Sequence, residues 1–193
     1  MMIYRWWHEW RQQRENIDIK EKTDDFKGPA CAGENTFISD DAVLKGNIII
    51  GDNCMIGTGV IIRGNVIIED NVRIGYGVEI KDSIIREGTT IGPLCYIGDS
   101  LVEREVYMGA LVRTSNHRLD RKTIKSWNGE MYEETGFEKL GSWIRENSNL
   151  GVGVVILPGR IVPGNSTFEP HIVITKNYAS GHYRLNQNIV KID

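Results

Sequence analysis

The sequence predicts an all-β fold, a hexapeptide-repeat parallel β-solenoid with an inserted hairpin loop and a short N-terminal helix. Three observations carry that expectation. An apolar column steps by six through Ala32, Ile38, Leu44, Ile50, Ile56, Ile62, Ile68, Ile74 and Ile80. A second column lies four residues later: Thr36, Ala42, Ile48, Cys54, Val60, Val66, Val72, Val78 and Ile84. The position before it reads Asn35, Asp41, Asn47, Asn53, Gly59, Asn65, Asn71, Gly77 and Ser83. Those residue types tolerate left-handed backbone or cap turns with their own side chains. No helix face recurs every six residues, and the Gly and Asn load would weaken a helix. Short strands joined by tight corners satisfy all three columns. Stacked coils would then pair through parallel hydrogen bonds at about 4.8 Å.

The phase of the repeat changes near Ile84–Ile85, after which Ile85, Ile91 and Ile97 take the inward position. It changes again at Leu101–Val102, giving Val102 and Met108, and stops at "TSNHRLDRKTIK". It resumes with Ile144, Leu150, Ile156, Val162, Phe168 and Ile174. Arg160 falls in the small corner column, which predicts a local bulge that turns Ile161 inward.

The remaining elements follow in order. Residues Met1 to about Asn16 set Ile3, Trp6, Trp7 and Trp10 close to one helical face, with Arg5, Arg11 and Arg14 between them. Such a helix is expected to cap an open solenoid end or pack on a neighbouring subunit. A peripheral membrane helix is the alternative. "EKTDDFKGP" reads as a linker. "TIKSWNGEMYEE" carries a hairpin signature around Asn128-Gly129. The expected organisation is residues 1–29 as helix and linker, 30–178 as solenoid with an insertion at 114–139, and 179–193 as a C-terminal cap.

A net charge of −3 with well-mixed signs gives no field for nucleic acid or an anionic membrane. Three cysteines without framework spacing suit a reducing, cytoplasmic compartment. Cys54 and Cys95 fall in the small inward column, and nothing marks Cys31 as reactive. No apolar run reaches the roughly 20 residues of a membrane span, and the N-terminus is not a signal peptide. The four histidines are not spaced for a zinc site, so no metal is expected.

The second position of the hexads reads Lys45, Arg63 and Lys81 down one face. Like charges about 4.8 Å apart on adjacent coils are unfavourable unless something anionic answers them. Two answers are open: a salt-bridged face using Glu69 and Glu79, or a bound phosphate, which Arg and Lys suit. Tyr96 falls in the next coil. The insertion adds His117, Arg118, Lys122 and Trp127, and solenoid insertions are often binding loops. A solubilising flap and a subunit contact are the alternatives.

"VIIRGNVIIEDNVRIGYGVEIKDSII", "CYIGDS", "TSNHRLD" and "LGVGVVILPG" resemble the left-handed β-helix acyltransferases. The likeness is greatest to the C-terminal acetyltransferase domain of bifunctional N-acetylglucosamine-1-phosphate uridyltransferases and to archaeal sugar-nucleotide pyrophosphorylases. It covers about Ala32 to Asn177 and implies about three hexads per coil and a left-handed winding, which the general crossover rule would not have chosen. It also implies that Arg63 and Lys81 bind a sugar phosphate and that Tyr96, Asn116 and Lys122 contact the substrate. Gly109 and Ala110 would lie near the acyl carrier.

The departures from that family are specific. Its general base, a histidine, is replaced by Pro93, and one of its asparagines by Tyr107. The serine and alanine of its coenzyme A site become Val152 and Pro170. A positioned base contributes typically 10²–10⁴-fold to such a transfer. His117 is the candidate replacement, or else an ordinary loop histidine; His171 is a weaker candidate, and His8 and His182 lie in the caps. The resemblance implies an acyl-CoA-dependent acyltransferase, with acetyl-CoA as donor to a sugar phosphate or nucleotide sugar, working as a homotrimer. The alternative is a non-catalytic sugar-phosphate-binding trimer that partners a separate nucleotidyltransferase.

Overall fold

The computed structural model describes residues 4–16, 30–187 and 191. It is a left-handed parallel β-helix with three walls. The first wall has eight strands, from Phe37–Ile38 to His182–Tyr183. The second begins in the first halves of Val43–Ile50 and Ile61–Ile68. It continues through Glu79–Lys81, Tyr96–Gly98, Arg113–Thr114, Val155–Ile156 and Val173–Ile174. The third holds Ala30–Ala32, the second halves of the two long strands, Ile84–Ile85, Leu101–Val102, Trp143–Ile144 and Ile161–Val162. The predicted inward columns fill the interior: Ile56, Ile62, Ile74, Ile80, Ile97 and Ile144 are fully buried. Each such side chain contributes roughly 1.5–3 kcal/mol relative to exposure.

The phase changes have a local cause. Gly64, Asn65 and Val66 separate Arg63 from Ile67, but only Asp82 and Ser83 separate Lys81 from Ile84. Asp99 and Ser100 likewise separate Gly98 from Leu101. The corner between the second and third walls is therefore one residue shorter in these two coils. Asp82 (φ 46°) and Asp99 (φ 51°) make the sharper bend with left-handed backbone.

The third wall differs from the others on its outer side. Ile49, Ile67, Ile84, Leu101, Trp143 and Ile161 point outward there, so its strands are apolar on both faces and need a cover. Helix α1 (Trp6–Glu15) supplies it. Trp6, Trp7 and Trp10 are buried against Ile84 and Leu101 together with Ile124 and Leu140 of the insertion. The helix thus lies along a side wall of its own solenoid instead of covering an open end. Trp6 Nε1 donates to Ser126 Oγ at 2.9 Å, Ser126 Oγ donates to Gly159 O at 2.8 Å, and Trp10 Nε1 donates to Asp82 O at 2.9 Å. Helix, hairpin and coil are pinned by these bonds. Arg86 adds a charged clamp, pairing with Glu9, Glu69 and Glu103. Ile3 and the expected linker lie outside the described residues.

One further expectation is corrected. Val162, not Ile161, points inward; Ile161 faces the helix, and no bulge is needed because Arg160 turns outward over the Tyr132 ring. The hairpin expected around Asn128-Gly129 forms as Lys125–Trp127/Tyr132–Glu134, closed by the four-residue loop 128–131. Asn128 Oδ1 accepts from the backbone N–H groups of Glu130 and Met131, which favours this loop. At the C-terminal end His182–Tyr183 pairs with Thr167–Phe168. There Phe168, Tyr178 and Tyr183 stack over the last coil.

Candidate functional site

The corner between the second and third walls gathers most of the predicted acceptor residues. Arg63 and Lys81 are direct register partners on adjacent strands. Lys81 pairs in turn with Gly98, and the missing Cβ there matters. A Cβ would stand 2.6 Å from the Tyr96 hydroxyl, so only glycine lets the Tyr96 ring lie back along its own strand. The hydroxyl accepts from Asn116 Nδ2 at 3.3 Å. Asn116 Nδ2 also donates to Asp99 Oδ2 at 2.5 Å, and Lys81 Nζ reaches both Asp99 carboxylate oxygens at 3.1–3.2 Å. Lys81, Asp99, Asn116 and Tyr96 therefore form one network where the insertion leaves the solenoid.

The column of like charges is answered within the chain. Arg63 Nε donates to Glu79 Oε1 at 2.7 Å. Lys81 Nζ contacts Asp82 Oδ2 at 2.8 Å as well as Asp99, and Arg14 of the helix holds Asp82 Oδ1 at 2.9 Å. Of the two carboxylates expected to serve, Glu79 does so; Glu69 is taken by Arg86. Burial alone would lower the Lys81 pKa, but Asp82 and Asp99 outweigh it and leave it raised. Burial would raise the Asp82 carboxyl; Lys81, the Asn65 N–H and Arg14 outweigh it and hold it below its ordinary range. Burial, and then the Asp99 charge, push the Tyr96 hydroxyl up, so it stays a neutral donor or acceptor.

Asp82 and Asp99 were not singled out from sequence, and their signal was present. "KDSII" and "GDSLV" coincide with the two phase changes, so each Asp-Ser marks a shortened corner. The other predicted residues stand apart from the network. Lys122 is exposed on the insertion, its backbone N–H bonded to Asp120 Oδ1 at 3.3 Å. His117 is exposed and bridges Lys139. It opens on a cleft of about 540 Å³ lined by Ser115, Leu119, Ile124, Leu157 and Arg160.

Gly109, Ala110 and Val152 lie at a different corner, between the first and second walls. A Cβ at Gly109 would stand 2.9 Å from the Val152 nitrogen, and Pro93, Ala110, Val152 and Pro170 follow one another up this edge. Pro93, in the base position of the resembled family, is solvent-facing here and has no group to move a proton. His171 lies on the same edge, over Gly153. Leu94 and Leu111 are exposed on it with φ of 59° and 64°. A cleft of about 290 Å³ lined by Leu94, Leu111, Glu79, Tyr96 and Arg113 runs from this edge onto the second wall. Cys95 beneath it is inert, since burial pushes its thiol up to about 11.

A left-handed β-helix whose polar corner and insertion lie across one strand from a small-residue edge has the architecture of the hexapeptide-repeat acyltransferases. Residues 47–191 match the family described as the GMPPB C-terminal domain, and the chain belongs to that family. It is 41% identical over 181 residues to YaiX, an uncharacterized acetyltransferase of Escherichia coli O6:K15:H31, covering 93% of this chain and 79% of that one. It is 31% identical over 99 residues to a bifunctional sugar-1-phosphate nucleotidylyltransferase/acetyltransferase of Sulfurisphaera tokodaii, covering 51% of this chain and 25% of that protein. Among solved structures, the polysialic acid O-acetyltransferase OatWY matches with a TM-score of 0.52 at 21% identity, over 79% of this chain and 81% of that one. That likeness concerns the fold. These relatives support an acyltransferase. No helix among the described residues is long and apolar enough to cross a membrane.

Proposed function

We propose that the chain is an acyl-CoA-dependent acyltransferase, with acetyl-CoA as donor and a sugar phosphate or nucleotide sugar as acceptor. The observation that carries this reading is the convergence of Arg63, Lys81, Tyr96 and Asn116 at the insertion corner. Arg63 is the cation open to an incoming phosphate; its side chain is 41% exposed, against 16% for Lys81. A phosphate competes with Glu79 for the Arg63 guanidinium, which suits bidentate oxyanions. Lys81 and Asp99 hold Asn116 and Tyr96 in place for the sugar hydroxyls. Lys122, on the insertion, would close over the acceptor.

The donor's acyl arm fits the edge of Gly109, Ala110 and Val152, where close-stacked backbone and the exposed Leu111 leave a narrow apolar track. The acceptor's amine or hydroxyl attacks the thioester carbonyl, the C–S bond breaks, and the acceptor's proton must reach a base. His117 is the base in this reading. A homotrimer would complete the cleft with a neighbouring chain, and the cytoplasm would supply donor and acceptor.

Pro93 favours a second reading, a sugar-phosphate-binding solenoid that partners a separate nucleotidyltransferase without catalysis. Calorimetry separates the two. Acetyl-CoA, and separately glucosamine 1-phosphate or a UDP-sugar, are both expected to bind. Acceptor binding without acetyl-CoA binding rejects the enzyme and leaves the second reading. Arg63→Ala is expected to weaken the phosphate ligand tenfold or more, by about the worth of a charge-assisted hydrogen bond; unchanged affinity rejects the corner as the acceptor site.

A further inference from the structure

Trp127 stood out in the sequence beside the basic residues of the insertion, yet it takes no part in the acceptor network. It lines a separate cleft of about 400 Å³, where Tyr4, the hairpin loop, the outer side of Trp143 and Tyr178 of the C-terminal segment meet. We infer that this cleft is a binding site for a neutral hexopyranose ring.

Its construction is that of a small-molecule site, with four aromatic rings, Tyr4, Trp127, Trp143 and Tyr178, beside a few placed polar groups. Arg145 lies with its guanidinium 5.2 Å from the Trp143 ring centroid, and Glu146 Oε1 accepts from its Nη2 at 3.2 Å. Five N–H donors are available to a guanidinium, so hydroxyl oxygens can share it with Glu146, which already answers its charge. Asn177 also lines the cleft. Its Oδ1 accepts from the Ile161 N–H at 2.9 Å, while its Nδ2 is buried with no hydrogen-bond partner among the described residues. A buried amide donor without an acceptor is costly.

The angle between the rings selects a puckered ligand over a flat one. The ring pair that lines the cleft, Tyr4 and Trp143, meets at 51°. It offers no parallel slot that would hold a planar base on both faces. A pyranose needs only one ring, against which it lays an apolar C–H face while its hydroxyls turn to the rim. The half-buried Trp127 is the ring in position to take it. The acceptor network lies at the insertion corner on Arg63, Lys81 and Tyr96, none of which lines this cleft. The site therefore needs neither acyl donor nor turnover.

The test is titration calorimetry on the full chain with glucose, galactose and N-acetylglucosamine, with uridine as the planar competitor. Saturable binding of at least one hexose is expected, undisturbed by uridine. Trp127→Ala and Arg145→Ala should each weaken it about tenfold, and Arg63→Ala should leave it unchanged. Arg145 is surface-exposed, so its variant keeps the test decisive should Trp127→Ala fail to fold. Absence of saturable binding for all three hexoses overturns the inference, as does displacement by uridine. Loss of hexose binding in Arg63→Ala with retention in Arg145→Ala assigns the sugar to the acceptor corner and overturns it too.

Discussion

The two edges of the second wall are built from the same repeat and have opposite characters. The edge shared with the first wall keeps its register through every coil from Gly75 to His171, and its exposed large apolar side chains are Tyr76, Leu94, Leu111 and Val152. The edge shared with the third wall loses a residue at Asp82-Ser83, another at Asp99-Ser100, and then releases the whole insertion. Its side chains form the Arg14–Asp82–Lys81–Asp99–Asn116 chain of polar contacts. Strict repetition places like residues above one another, which suits apolar stacking and is hostile to charge. Breaking the repeat is what brings unlike charges into contact. The polar chemistry therefore gathers where the register fails.

The irregular edge also has a cover that the regular one lacks, and removing it is the largest available perturbation. Trp10 is buried, donates to Asp82 O, and lies 4.4 Å from the Arg14 guanidinium that holds the Asp82 carboxylate. Trp10→Ala should cost about 3–5 kcal/mol by chemical denaturation, the range for deleting a buried large aromatic. Trp10→Phe, which keeps most of the packing and loses the N–H bond, should cost about 1 kcal/mol from that bond. A loss under 1 kcal/mol for the alanine variant would mean that the corner stands without its helix.

A smaller effect isolates the charges themselves. The Asp82 carboxyl is held below its ordinary range, so its stabilisation is present above the unfolded value of about 3.9 and is lost as pH falls through the folded one. Lys81 is raised, so its share is present below about 10.4 and is lost as pH rises through its folded value. Stability from this pair should be level between about pH 4 and 10. Asp82→Asn should flatten the acid limb and lower the plateau by about 1.5–3 kcal/mol, the worth of hydrogen bonds to a charged group. Equal acid limbs in variant and parent would show that the corner is not held by charge.

The same contrast explains what the sequence disclosed. The inward columns were legible because one side chain in six must be apolar and branched, and Ile62, Ile80 and Ile97 lie where that pattern sets them. The register partners Arg63 and Lys81 followed from it directly. Asp82 and Asp99 were hidden because Asp-Ser at a corner looks like turn chemistry, and only the missing residue beside it marks a sharper bend. The docking of α1 was hidden for a different reason. Its Trp face was plain, but its partner was the outward row Ile67, Ile84, Leu101 and Trp143, apolar where the second wall carries Glu79 and Arg113 outward. The side chains of the insertion follow no repeat, so Lys122, named from the resemblance, and His117, named as the segment's one histidine beside Asn116, could not be placed.

The regular edge offers the smallest effect and the sharpest one for function. Leu94 and Leu111 occupy positions where the earlier coils have Gly59 and Gly77, and they keep the left-handed backbone with φ of 59° and 64°. For a branched residue that conformation costs roughly 1–2 kcal/mol, and asparagine tolerates it better. Leu94 is 44% exposed, so solvent-facing contacts return little of that cost. Leu94→Asn should accordingly raise the thermal midpoint by about 1–4 °C, since about 1 kcal/mol moves a chain of this size by 2–4 °C. Strain retained at an exposed position is a hypothesis of function, and on the proposed reading the acyl arm would lie in the cleft that Leu94 shares with Tyr96 and Leu111. The stabilised variant should then bind acetyl-CoA more weakly while glucosamine 1-phosphate is unaffected. A variant that gains stability and keeps full acetyl-CoA affinity would remove Leu94 from the donor track, and one that gains no stability would show that the edge carries no strain.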